Sequence, residues 1–197
     1  MFARIFPILF VGVASCALGV GGGVGVSVDT RGAWTVLLTL QVNNLGIRVE
    51  PDKTPRTEQA AYLNAMEISG GLRLNGDAGR AAVLRLDLPG VAFSQDELDG
   101  GWGYNAALFM RNEISWPLDG AKSSVATGVA VKGAYMHHLS LEQLKRLESR
   151  PEWPDGWELH RIGPGVSAAV MHDDDGWFGQ FTVSMLYEYL NYFYLGL

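Results

Sequence analysis

Residues 177–197 read WFGQFTVSMLYEYLNYFYLGL, and the order of side chains in this stretch decides the fold. Taken by twos, one register runs Gly179, Phe181, Val183, Met185, Tyr187, Tyr189, Asn191, Phe193, Leu195, Leu197. The other begins Gln180, Thr182, Ser184 and continues Leu186, Glu188, Leu190. Successive side chains of a strand point to opposite faces, so a period of two with one greasy and one mixed face predicts a strand. Strands of soluble proteins average about six residues. A membrane strand needs about ten, tilted, plus what protrudes from the bilayer.

The same alternation recurs upstream. Residues 18–28 place Leu18, Val20, Gly22, Val24, Val26 and Val28 against Gly19, Gly21, Gly23, Gly25 and Ser27, ahead of an Asp29–Gly32 turn. Trp34, Val36, Leu38, Leu40 and Val42 follow, and Asn43-Asn44 predicts a bulge because the alternation changes phase at Leu45. Further strands are expected over 66–75, 82–88, 102–116, 122–135 and about 158–172, the last interrupted by Gly163-Pro164-Gly165. Three longer connections, 51–63, 90–101 and 139–157, carry cap signatures at Thr57–Ala61, Ser94–Glu97 and Ser140–Leu147, which predict short helical turns. Strands joined as hairpins pair antiparallel. The expected fold is therefore all-β: an antiparallel up-and-down β-barrel of about eight strands, with short helical turns in its long connections.

At 197 residues the chain suits one domain or one small barrel. A net charge of −6 with both signs scattered argues against a nucleic-acid partner, which would need a basic patch. The single cysteine, Cys16, excludes an intramolecular disulfide and a cysteine-rich metal site. Residues 1–17 read as a cleaved export signal: Arg4, then apolar Ile5–Val13, then small residues. That leaves 18–197 as one barrel domain. Val13-Ala14-Ser15-Cys16 also fits a lipid-attachment signal, in which Cys16 would carry the lipid.

Alternation alone does not say which face is inside. The mixed face is rich in Gly, Ala and Ser and carries Glu67, Arg73, Arg85, Asp87, Arg111, Glu113, Lys132 and Glu188. Exposed glycines make a poor solvent face, whereas small residues suit a narrow lumen in which the charges pair. On the greasy face Trp34, Trp102, Tyr104, Trp116 and Trp177 sit at strand ends, as aromatic girdles at two membrane interfaces would. Tyr104 to Trp116 spans roughly 40 Å of strand, or about 30 Å of height at a 40° tilt. The alternative is a soluble exported or lipidated barrel with the aromatics packed inward around a hydrophobic ligand.

On export signal, strand number, alternation and girdles, residues 18–197 resemble the small outer-membrane barrels of the OmpA/OmpX type. The resemblance implies an integral barrel in the outer membrane of a Gram-negative bacterium, with a structural, adhesive or accessory role. Membrane lipids would be its surroundings, and connections 51–63, 90–101 and 139–157 its surfaces for a protein partner. A periplasmic or secreted location is the alternative. Two features depart from the family's pattern. The chain ends on Leu197 rather than an aromatic residue, and its long connections are the second, fourth and sixth instead of the odd-numbered ones.

Catalytic chemistry has weak candidates only. His137-His138 lie near Ser140, and His172 precedes Asp173-Asp174-Asp175. A histidine beside a carboxylate serves as a general base, so a rim histidine of a lipid-modifying enzyme is the rival function. Solvated hairpin ends explain these residues better, and the two groups are expected at opposite rims. Gly21-Gly22-Gly23-Val24-Gly25 lacks the Lys and helix of a phosphate loop. No cofactor or metal site is expected.

Overall fold

The computed structural model describes residues 15–49, 57–74, 79–88, 92–97, 102–138 and 156–194. They form β1 (Ser15–Asp29), β2 (Trp34–Val49), β3 (Thr57–Arg73), β4 (Ala81–Leu88), β5 (Ala92–Glu97), β6 (Trp102–Pro117), β7 (Ser124–His138), β8 (Gly156–Asp173) and β9 (Gly176–Tyr194). Every pairing is antiparallel, and β1 bonds both β2 and β9, so the sheet closes on itself. β4 and β5 occupy successive lengths of one gap between β3 and β6. They are two parts of a single stave, and the ring is an eight-stranded up-and-down barrel.

The register partners leading on from Gly21 run Gln41, Glu67, Asp87, Arg111, Gly128, Met171 and Phe178 around the inner face. Phe178 lies two residues beyond Gln180, the partner of Asp29, so the path meets the first strand about ten residues above its start. That stagger tilts the staves by roughly 40° and leaves an interior filled by side chains. The turns Thr30–Ala33, 118–123 and Asp174–Asp175, and residues Leu74, Gly79 and Arg80, all lie at one end, called here the turn rim. Ser15 and Tyr194 pair at the other, the terminal rim. Asp29 Oδ1 organises the first turn by accepting from the amides of Arg31 and Ala33, both at 2.9 Å. Gly176, at φ 106°, closes the last two-residue hairpin.

The bulge expected at Asn43 is present, as a register shift against β3. Two expected helical turns are strand instead. Thr57–Ala61 opens β3 and pairs with β2 and β5, and Ser94–Glu97 belongs to β5, paired with β3 and, through Ser94 and Gln95, with β6. A five-residue helix gains too few hydrogen bonds to offset its nucleation. Extension beside a waiting strand satisfies the backbone directly. Of the expected partner-contact connections, 57–63 and 92–97 are thus barrel wall. The remainder of both, and 139–155 with the Ser140–Leu147 turn, lie outside the described residues. The Gly163-Pro164-Gly165 interruption is also absent from the chain path: β8 runs unbroken and pairs with β9 throughout. Only the β7 ladder skips there, between Ala134↔Gly165 and His137↔Ile162, because proline has no N–H to give.

Residues 1–14 of the expected export segment lie outside the described residues. Ser15, Cys16 and Ala17 stand in β1 opposite Tyr194, Phe193 and Tyr192. Nothing in the structure bears on lipid attachment to Cys16.

Candidate functional site: the charged lumen and the outer wall

The barrel is inside out relative to a soluble protein. Its inward residues include Arg85 and Glu113, each 2% exposed, and its outward residues include Leu38 at 67% and Trp177 at 72%. Alternation delivers both from the same strands, one residue apart.

Just inside the turn rim lies a cavity of about 580 Å³, lined among others by Asp29, Arg31, Ser115, Ser124 and Phe178. Arg31 crosses its mouth to Asp173 with two hydrogen bonds of 2.6 and 2.9 Å, donates to the Gly176 carbonyl at 3.0 Å, and lies 4.3 Å over the Phe178 ring. Hydrogen bonding to Asp173 raises the Arg31 pKa above its ordinary value. The same bonds, helped by the Asp175 amide, hold the Asp173 carboxyl below the usual range.

Below the cavity the charges form a stack of pairs. Glu113 accepts from Arg73 (2.8 Å), from Arg85 through Nε and Nη2 (3.1 and 2.9 Å), and from the Gln180 amide (2.9 Å). Arg85 also reaches Ser27 and Thr182, at 3.2 and 3.3 Å. One level down, Arg111 grips Asp87 through two bonds of 2.8 and 2.7 Å. Then come Lys132 with Glu67, and Arg161 with Glu188. Three of these pairs are direct register partners on neighbouring strands: Arg85↔Glu113, Asp87↔Arg111 and Arg161↔Glu188. A buried ion is tolerated only with such partners. The void within this stack is about 20 Å³, room for about one ordered water.

All eight inner charges anticipated from sequence therefore point into the lumen, and all are ion-paired. Arg161 was not anticipated. It is 1% exposed and in phase with Gly163, Gly165 and Ser167, a run of small inward residues that would have placed it had β8 been read as continuous. The glycines of β1 make room for this filling: a Cβ on Gly21 would stand 2.9 Å from the Tyr187 carbonyl and 3.0 Å from Glu188 Cγ.

Outside, Trp34, Trp116 and Trp177 ring the turn rim, and Trp102, Tyr104, Tyr135 and Tyr187 ring the terminal half. Trp102 stacks on Tyr135 with centroids 4.7 Å apart. Between the girdles the outward residues whose side chains the structure describes include no Asp, Glu, Lys or Arg.

The candidate histidines do not assemble a site. His172 packs edge-on to Trp177 at the turn rim, and His137 edge-on to Trp102 at the other, both at 4.8 Å on the outer face. The His138 side chain is outside what the structure describes. His160, not singled out from sequence, bonds the Tyr187 hydroxyl at 2.6 Å on the same outer wall. Among the described residues no three His, Cys, Asp or Glu side chains converge as metal ligands. No protein-family model, curated protein or solved structure matches the chain.

Proposed function

We propose that the chain is an integral outer-membrane β-barrel, sealed through its lumen, with a structural, adhesive or accessory role. The observation that carries this reading is the inverted burial. A closed wall presents apolar side chains outward between two aromatic girdles, while every inward Arg, Lys, Asp and Glu below the rim cavity whose side chain is described is buried and paired. In water such a belt would be an aggregation surface far beyond a few hundred Å². In hydrocarbon it is the required solvent contact, and closure leaves no sheet edge unsatisfied. Trp102 to Trp116 is about 36 Å of vertical wall at a 40° tilt, enough for the hydrocarbon core with both girdles in the headgroups. A lumen packed with ion pairs offers no apolar cavity for a hydrophobic ligand.

The test is cell fractionation of the expressed chain, followed by gel mobility in detergent with and without boiling. Recovery with the outer membrane and a heat-dependent shift is the expected result. Release as a soluble protein would overturn it. In planar bilayers the sealed lumen predicts no steady conductance, and a stable open level would refute the seal while leaving the membrane reading intact.

A further inference from the structure

Among the outward residues whose side chains the structure describes, the wall is apolar between its girdles except at one place. Asn112 on β6, Thr127 on β7 and His172 on β8 are consecutive partners across three strands, and the row continues to Trp177 on β9. Among the outward residues whose side chains the structure describes, they are the ones that are both polar and neither Tyr nor Trp, apart from His137 and His160 at the opposite girdle. Because the staves tilt, the row climbs as it crosses them. With about 4.8 Å between strands, Asn112 lies roughly 6 Å deeper than His172, which is level with the girdle.

The hydrogen-bond inventory of this notch leaves donors to be met. The Thr127 hydroxyl donates to Asn112 Oδ1 at 3.0 Å, which occupies the amide's acceptor and leaves both Nδ2 protons to give. Above it stand the imidazole of His172 and the indole of Trp177, whose N–H only donates. Donors left facing hydrocarbon are costly unless met. The occupant must bring acceptors at two depths, one at the girdle and one a few ångströms below.

Resting on the membrane reading above, we propose that this notch seats one glycerophospholipid, its phosphate against His172 and Trp177 and an acyl-ester oxygen on the Asn112 amide. A diacyl phospholipid carries those acceptors in that order along its length, with its chains continuing down the apolar wall beside Met110 and Val129.

The experiment is native mass spectrometry of the full chain refolded in detergent with phosphatidylglycerol or with diacylglycerol of the same chains. Wild type is compared with Asn112→Leu/Thr127→Val, which removes both members of the polar pair together and so leaves no orphaned group. The wild type is expected to retain one phosphatidylglycerol and the variant about tenfold less, as loss of about 1.4 kcal/mol of hydrogen bonding gives. Diacylglycerol should be retained poorly by both. Equal retention of phosphatidylglycerol by the two proteins, or equal retention of both lipids by the wild type, would overturn the proposal. So would a dimer of the wild type that the variant fails to form, since a second copy would then fill the notch. Heat-dependent mobility measured on the same samples separates the two readings: its presence with equal retention removes the lipid site alone, and its absence removes both.

Discussion

The lumen and the outer wall are made from alternate residues of the same strands, yet they tolerate opposite errors. Inside, Glu113 is held by Arg73, Arg85 and Gln180, and what matters is that no partner be lost. Outside, Val183 and its neighbours have no partners to lose, and what matters is that no charge be added. One residue step separates a position that needs a charge from one that forbids it.

The largest effect is expected inside. Glu113→Leu strands two guanidiniums, and unfolding by urea in phospholipid vesicles should show a loss of about 3–5 kcal/mol. Adding Arg73→Met and Arg85→Met should recover most of it, because no buried charge is then left unpaired and only the Gln180 amide loses its acceptor. Failure of that recovery would mean the stack does more than neutralise itself. Next comes the wall: Val183→Arg should cost about 2–4 kcal/mol in vesicles, as lipid-facing charges near the midplane do. A neutral result there would mean this face meets water.

The comparison sharpens at two adjacent glycines of β3. Inward Gly71 abuts the Val36 carbonyl, and an added Cβ would also come 2.9 Å from Leu37 Cδ2, so Gly71→Ala should lose about 1–3 kcal/mol. Outward Gly70 would meet nothing within 4 Å, and Gly70→Ala should gain about 0.4–1 kcal/mol by restricting the unfolded chain. Equal effects at the two positions would contradict the crowded lumen.

The smallest effect belongs to the rim. Asp173, depressed chiefly by its hydrogen bonds from Arg31, contributes in full above its unfolded value near 3.8 and loses that contribution as pH falls through the lower folded value. Asp173→Asn should therefore cost about 1 kcal/mol or less at neutral pH, since the pair is partly open to solvent. The difference from wild type should vanish in strong acid, read as unfolding midpoints across pH 2–6.

Much of the barrel is legible in the sequence because its signal is periodic and local. Alternation located β1, β6 and β9, the phase change located the bulge at Asn43, and the small-plus-charged face identified the lumen side. What was hidden is non-local. Nothing within Thr57–Ala61 or Ser94–Glu97 announces a strand; those segments are extended because β2, β3, β5 and β6 stand beside one another. Arg161 was obscured by Pro164, which breaks one ladder without breaking the chain's path. The pairing of each lumen charge depends on register, and register follows from closure around the whole ring rather than from any one hairpin. The polar notch of the outer wall is similarly distributed, one residue on each of three strands.

Ser15 and Tyr194 are register partners at the same rim, in a ring where each stave also adjoins its neighbours in sequence. The wall consequently has no privileged first strand. A short peptide joining those two positions, with the chain reopened at the 118–123 turn, would renumber the staves while preserving every ladder and every ion pair, so the order in which the strands are synthesised can be separated from the order in which they stand.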